Sequence, residues 1–81
     1  MPDSKIQAVI ALVAEVLGVQ EDELGPDSSM ENTPSWDSVE HANICLTFEQ
    51  RFGVALDLDA IDAAVSIKSL AAQVPNSYAE H

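Results

Sequence analysis

A chain of 81 residues, 47% of them apolar, is expected to form one small domain with a single core and leaves no room for a second. It carries 14 acidic residues against Lys5, Arg51 and Lys68, and the resulting net charge of −11 disfavours nucleic acid and anionic membrane surfaces as partners while favouring basic protein surfaces. Cys45 is the single cysteine, so an internal disulfide, a zinc finger and a secreted disulfide scaffold are excluded. No stretch is long and apolar enough to span a bilayer, and Met1-Pro2-Asp3-Ser4 lacks the basic start and apolar run of a signal peptide, so a soluble cytoplasmic domain is expected; a monomer is expected as well.

Ser4 and Gln7 have the spacing of a capping box, and Ile6, Val9, Ile10, Val13, Val16 and Leu17 follow at helical intervals. Gly18 supplies a stop, which predicts a first helix over residues 5–17 with one apolar stripe. From residue 19 to residue 36 the periodicity fails, and Gly25-Pro26, Asp27-Ser28-Ser29 and Thr33-Pro34-Ser35 supply turn chemistry. Connections of this length are uncommon in small domains and are often functional. Leu24, Met30 and Val19 are the expected anchors of this long loop.

A second helix is predicted over residues 38–52, with Arg51 opposing the dipole in the last turn and Gly53 at the end. With Ser38 at zero and about 100° per residue, Ile44, Cys45, Phe48 and Phe52 gather between about 240° and 340° and face the core. Val39, Ala42 and Leu46 form a second apolar arc at about 40° to 100°, expected to meet partners, with Asp37, Glu40 and Glu49 as its charged surround. Ser38 lies between the two arcs at the positive end of the helix dipole.

Val54, Leu56 and Leu58 alternate like a strand but have no pairing partner, so they are expected to form an extended connector on the core. A short helix should follow, capped by Asp57 or Asp59. The last helix is predicted to start at the N-cap Ser66, to bury Ile67, Leu70, Ala71 and Val74, and to end at Pro75. Residues 76–81 should form a frayed tail. The expected fold is all-α: a small four-helix bundle of three main helices and one short one, with a long loop between helices one and two.

The residues do not describe an enzyme or a metal centre. An EF-hand loop beginning at Asp57 would need Gly at its sixth position and a bidentate acid at its twelfth, where the chain has Asp62 and Lys68. His41 and Cys45 share a helical face, but the other histidine is His81, and a core thiol beside an edge histidine is the expected arrangement. Gly18, Gly25 and Gly53 are isolated and form no phosphate cradle, and no catalytic residues are assigned.

Asp37-Ser38-Val39 opening a helix that closes with Phe48-Glu49-Gln50-Arg51-Phe52-Gly53-Val54 resembles the acyl carrier protein family. The resemblance extends through Val16-Leu17-Gly18-Val19, Pro26-Asp27-Ser28-Ser29-Met30 and Ser66-Ile67-Lys68-Ser69-Leu70. It implies a single carrier domain over residues 1–81 whose Ser38 receives 4′-phosphopantetheine from coenzyme A through a phosphopantetheinyl transferase. Acyl or aminoacyl groups would ride on that arm as thioesters. It also implies that Asp37 helps the transferase and partner enzymes engage the site, and that Val39, Glu40, Ala42, Leu46 and Glu49 face those partners. The partners implied are an acyl- or aminoacyl-loading ligase and acyl-transfer or synthase enzymes with basic docking surfaces.

Fatty acid carriers of this family typically have a small residue where Trp36 stands, Leu at the position of Val39 and a more acidic second helix than one containing His41, Asn43 and Gln50. The pattern resembles stand-alone carriers of polyketide, nonribosomal peptide or aminoacyl-transfer pathways. The alternatives are a housekeeping fatty acid carrier and an unmodified acidic interaction module. Trp36 is expected to pack the end of the loop onto the core.

Overall fold

The computed structural model describes residues 4–75, so the expected tail lies outside the described residues. Among the described residues four α-helices occur in the order α1 (Ser4–Leu17), α2 (Ser38–Phe52), α3 (Leu58–Ala63) and α4 (Ile67–Ala71), with one 3-10 turn at Glu21–Glu23. The fold is all-α, with two long and two short helices. No helix among the described residues is long and apolar enough to cross a membrane.

Ser4, the first described residue, already lies within α1, so it is a helical residue and not the cap ahead of the helix. The helix ends where Gly18 takes φ +73°, and the amides of Gly18 and Val19 both return to the carbonyl of Ala14 at 2.8 and 3.0 Å. A side chain at that φ would be strained. α1 buries Val9, Ile10, Leu12, Val13 and Ala14, while Ile6, Val16 and Leu17 pack at the margin of the core. Leu12 lies outside the predicted stripe. Because α2 and α4 both pack on α1, its buried surface is wider than one stripe.

The loop between α1 and α2 is built from local hydrogen bonds. Ser28 Oγ accepts from the Gly25 amide at 2.9 Å, Asn32 Oδ1 accepts from the Ser29 amide at 2.9 Å, and Asn32 Nδ2 donates to the Asp27 carbonyl at 3.0 Å. Leu24 and Met30 pack on the core as expected, and Val19 is half-buried. A short antiparallel bridge joins Ser29 to Ser66: the Met30 amide donates to the Val65 carbonyl and the Ile67 amide to the Ser28 carbonyl, each at 2.9 Å.

The connector at residues 54–57 has no regular structure, buries Leu56 and half-buries Val54. Leu58, by contrast, is 77% exposed, because Asp57 caps α3 and places Leu58 in the first turn of a helix with no fully buried residue. α4 is only five residues long, although Ile67, Leu70, Ala71 and Val74 are all buried as predicted. Its C-terminal end tightens into three-residue turns, with Gln73 donating to Leu70 and Val74 to Ala71, before Pro75, which has no amide to continue the ladder. The Ser66 cap is reciprocal: Ser66 Oγ accepts from the Ser69 amide and Ser69 Oγ from the Ser66 amide, both at 3.1 Å.

Candidate functional site

The start of α2 is set by Asp37, whose carboxylate accepts the Glu40 amide at 2.9 Å while its carbonyl accepts the His41 amide at 2.8 Å. The capping role therefore falls on Asp37, and Ser38 becomes the first helical residue. Ser38 is exposed. Several other serine hydroxyls of the chain are committed to loop or cap hydrogen bonds, namely Ser28, Ser66 and Ser69. Among the described residues nothing binds the Ser38 hydroxyl.

Ser38 opens onto a groove of about 280 Å³ whose walls come from three elements. α2 contributes Ser38, His41 and Ala42, the loop contributes Met30, and α3 with the turn after it contributes Ile61, Asp62 and Val65. The lining is mainly apolar, and Ser38 and Asp62 bring a hydroxyl and a carboxylate to it.

His41 is a correction to the edge position expected of it: only 6% of its surface is exposed. At three residues past Ser38 it falls at about 300° on the helical wheel, inside the arc facing the core. Trp36 Nε1–H donates to His41 Nδ1 at 3.1 Å, which puts the ring hydrogen on Nε2, and Nε2 lies 2.9 Å from the Ile61 carbonyl and 3.5 Å from Cys45 Sγ. Trp36 is 1% exposed, so it does pack the loop end onto the core, as expected. Cys45 is buried, and burial, followed by the nearby Glu49 carboxylate, pushes its thiol pKa above the ordinary value.

On the other arc of α2, Val39 is 69% and Leu46 55% exposed, and Ala42 is exposed between them. Among the described residues, neither the loop nor another helix covers Val39 and Leu46. Glu40 is half-buried, and so is Glu49, one of whose carboxylate oxygens accepts the Leu56 amide at 2.7 Å. Glu49 thus ties the connector to α2. Of the core-facing set, Ile44, Cys45 and Phe48 are buried and Phe52 is partly buried, its ring 4.7 Å from that of Phe48.

Sequence reasoning missed the Trp36–His41–Ile61 chain and the exposed Leu58. The wheel angle of His41 signals that its ring is buried but not which groups meet it. The exposure of Leu58 was hidden by its alternation with Val54 and Leu56.

The family model for the phosphopantetheine attachment site matches residues 7–74, which takes in most of α1, all of α2, α3 and α4, and the groove. No curated protein matches the chain. The chain belongs to the phosphopantetheine attachment family and is a carrier protein bearing a covalent 4′-phosphopantetheine group. Domains of this family typically act as non-catalytic carriers, and they interact with a phosphopantetheinyl transferase and with acyl-handling enzymes.

The residues present fit such a group. An uncommitted hydroxyl stands in the first turn of a 15-residue helix, where amides and dipole favour the phosphate that would link the arm, and an apolar groove runs beside it.

Proposed function

We propose that Ser38 is the attachment residue and that the protein serves a specialised pathway as an acyl or aminoacyl carrier. Support comes above all from the exposed and uncommitted Ser38 hydroxyl at the start of α2, within the matched region and beside the groove. The arm supplies a terminal thiol that holds acyl or aminoacyl groups as thioesters.

The chain's own residues do the rest. The N-terminal turn of α2 favours the negative charge of the linking phosphate, and Asp37 fixes that turn by taking the Glu40 amide. Val39, Ala42 and Leu46 offer an exposed apolar stripe to partner enzymes, and Glu40 and Glu49 set its electrostatic surround. Asp37 contributes to recognition by the transferase. The assignment to a specialised pathway rests on Trp36 and Val39, and on His41, Asn43 and Gln50 diluting the charge of α2.

Incubation with coenzyme A and a permissive phosphopantetheinyl transferase should add the mass of one arm to the protein and none to Ser38→Ala. A protein that gains no mass, or a Ser38→Ala variant that does, overturns the assignment. Intact mass of the protein isolated from its own cell would then show whether its cargo is a fatty acyl chain, which would argue for the housekeeping role.

A further inference from the structure

We propose that His41 is a latch that holds α3 against α2 and closes the Ser38 groove toward the core, so that an acyl group carried at Ser38 stays at the groove mouth. The inference has two parts. The latch stands on the structure alone, and the consequence for cargo rests on Ser38 as the attachment residue.

α3 is anchored by few side chains: none of its six residues is fully buried, Ala60 and Ile61 pack partly buried on the core, and its cap bond from Ala60 to Asp57 holds it together without joining it to another helix. The Ile61 carbonyl is where α3 meets His41. That bond crosses between two walls of the groove, since His41 and Ile61 both line it. The imidazole is set for this role from its other side, because the Trp36 indole fixes the tautomer that leaves Nε2–H to donate. Trp36 is immobilised in turn by full burial and by its amide bond to the Thr33 carbonyl at 2.9 Å.

One helical turn further along α2 lies buried Cys45, its sulfur 3.5 Å from the same Nε2, so the ring that lines the groove also touches the core. Every buried side-chain polar atom among the described residues already has a partner. A long alkyl chain passing from the groove into the core would have to part His41 from Ile61 and leave the carbonyl and the imidazole unsatisfied. Short or polar acyl groups would be accommodated beside Ser38 without that penalty.

Hydrogen exchange on the unmodified protein tests the latch. His41→Phe keeps a ring of similar bulk and removes both bonds, so α3 amides should exchange about tenfold faster while α1 amides change little. His41→Gln, which retains one polar contact, should fall between, and serves if the Phe variant fails to fold. Unchanged α3 exchange in a folded variant overturns the latch.

The consequence for cargo is tested by loading acetyl and dodecanoyl arms from the corresponding acyl-coenzyme A and measuring thioester cleavage by hydroxylamine, each rate normalised to the denatured protein. In the native sequence the two should agree within about twofold, whereas in His41→Ala the dodecanoyl thioester should become about fivefold slower as the chain gains apolar cover. Protection of the dodecanoyl form in the native sequence, or equal rates in the variant, overturns the closure. Failure to load Ser38 would be seen first, as a missing mass gain, and would remove the attachment assignment while hydrogen exchange still decides the latch.

Discussion

Cys45 shows how burial and charge act on one side chain. Its thiol lies in the core with the Glu49 carboxylate nearby, and both disfavour the thiolate. Because the thiolate is the nucleophile, alkylation of the folded protein by iodoacetamide at neutral pH should be at least about tenfold slower than after denaturation. Mass spectrometry of the labelled chain would check this. A thiol that does label quickly in the folded, modified protein would then be that of the arm. The fold holds the Cys45 proton more tightly than the unfolded chain does. Stability is therefore unaffected below the ordinary thiol range and falls as pH rises through it, since there the unfolded state releases its proton first. Loss of this alkaline dependence in Cys45→Ala, followed by chemical denaturation, would confirm the assignment. Position on the wheel made Cys45 legible as a core residue. The partners of His41 were not legible, because two of them, Trp36 and the Ile61 carbonyl, arrive from other segments and only the tertiary fold places them there.

At the scale of the element, α2 carries a core face and an exposed apolar face on one cylinder, and substitutions separate the two. Leu46→Glu should leave the thermal midpoint within a few degrees of the native value while weakening partner enzymes, since Leu46 is 55% exposed. Phe48→Ala should cost about 3 to 5 kcal/mol, because Phe48 is fully buried. Phe52→Ala should cost less than Phe48→Ala, because Phe52 is only partly buried. Chemical denaturation of the three variants gives the order directly. Removing the cap with Asp37→Ala should cost about 1 kcal/mol. The bounds of α2 were legible, with Arg51 and Gly53 marking its end locally, whereas the cap that fixes its start, Asp37, was read only as part of the charged surround. The true length of α4 was not: burial of Val74 continues the helical spacing after the ladder has narrowed to three-residue turns. Nor was the engagement of Glu49 legible, since the Leu56 amide reaches it only because the chain reverses at Gly53, where φ is +66°.

For the whole molecule the dominant quantity is charge. Arg51 pairs with Glu15 and Lys68 with Asp27, both at 3.1 Å and exposed, so these bridges add little stability and leave a strongly negative surface. Association with a basic transferase should accordingly slow by about tenfold or more as salt is raised from low ionic strength to about 1 M, where the screening length shrinks to roughly 3 Å. Stopped-flow rates would read this, and a salt-independent rate would mean that the apolar stripe alone governs docking.

The bridge between Ser29 and Ser66 joins positions far apart in sequence, and it couples two events during folding. The loop gains the Met30–Val65 and Ile67–Ser28 hydrogen bonds only when α4 has arrived, and α4, at five residues, is too short to persist alone. Closing so long a loop costs entropy before either partner gains from it. The loop and α4 should therefore become protected together, and the groove beside Ser38, which needs Met30 on one wall and Val65 on another, is complete only when both are in place; pulse-labelled hydrogen exchange should show the Met30 and Ile67 amides gaining protection in one step.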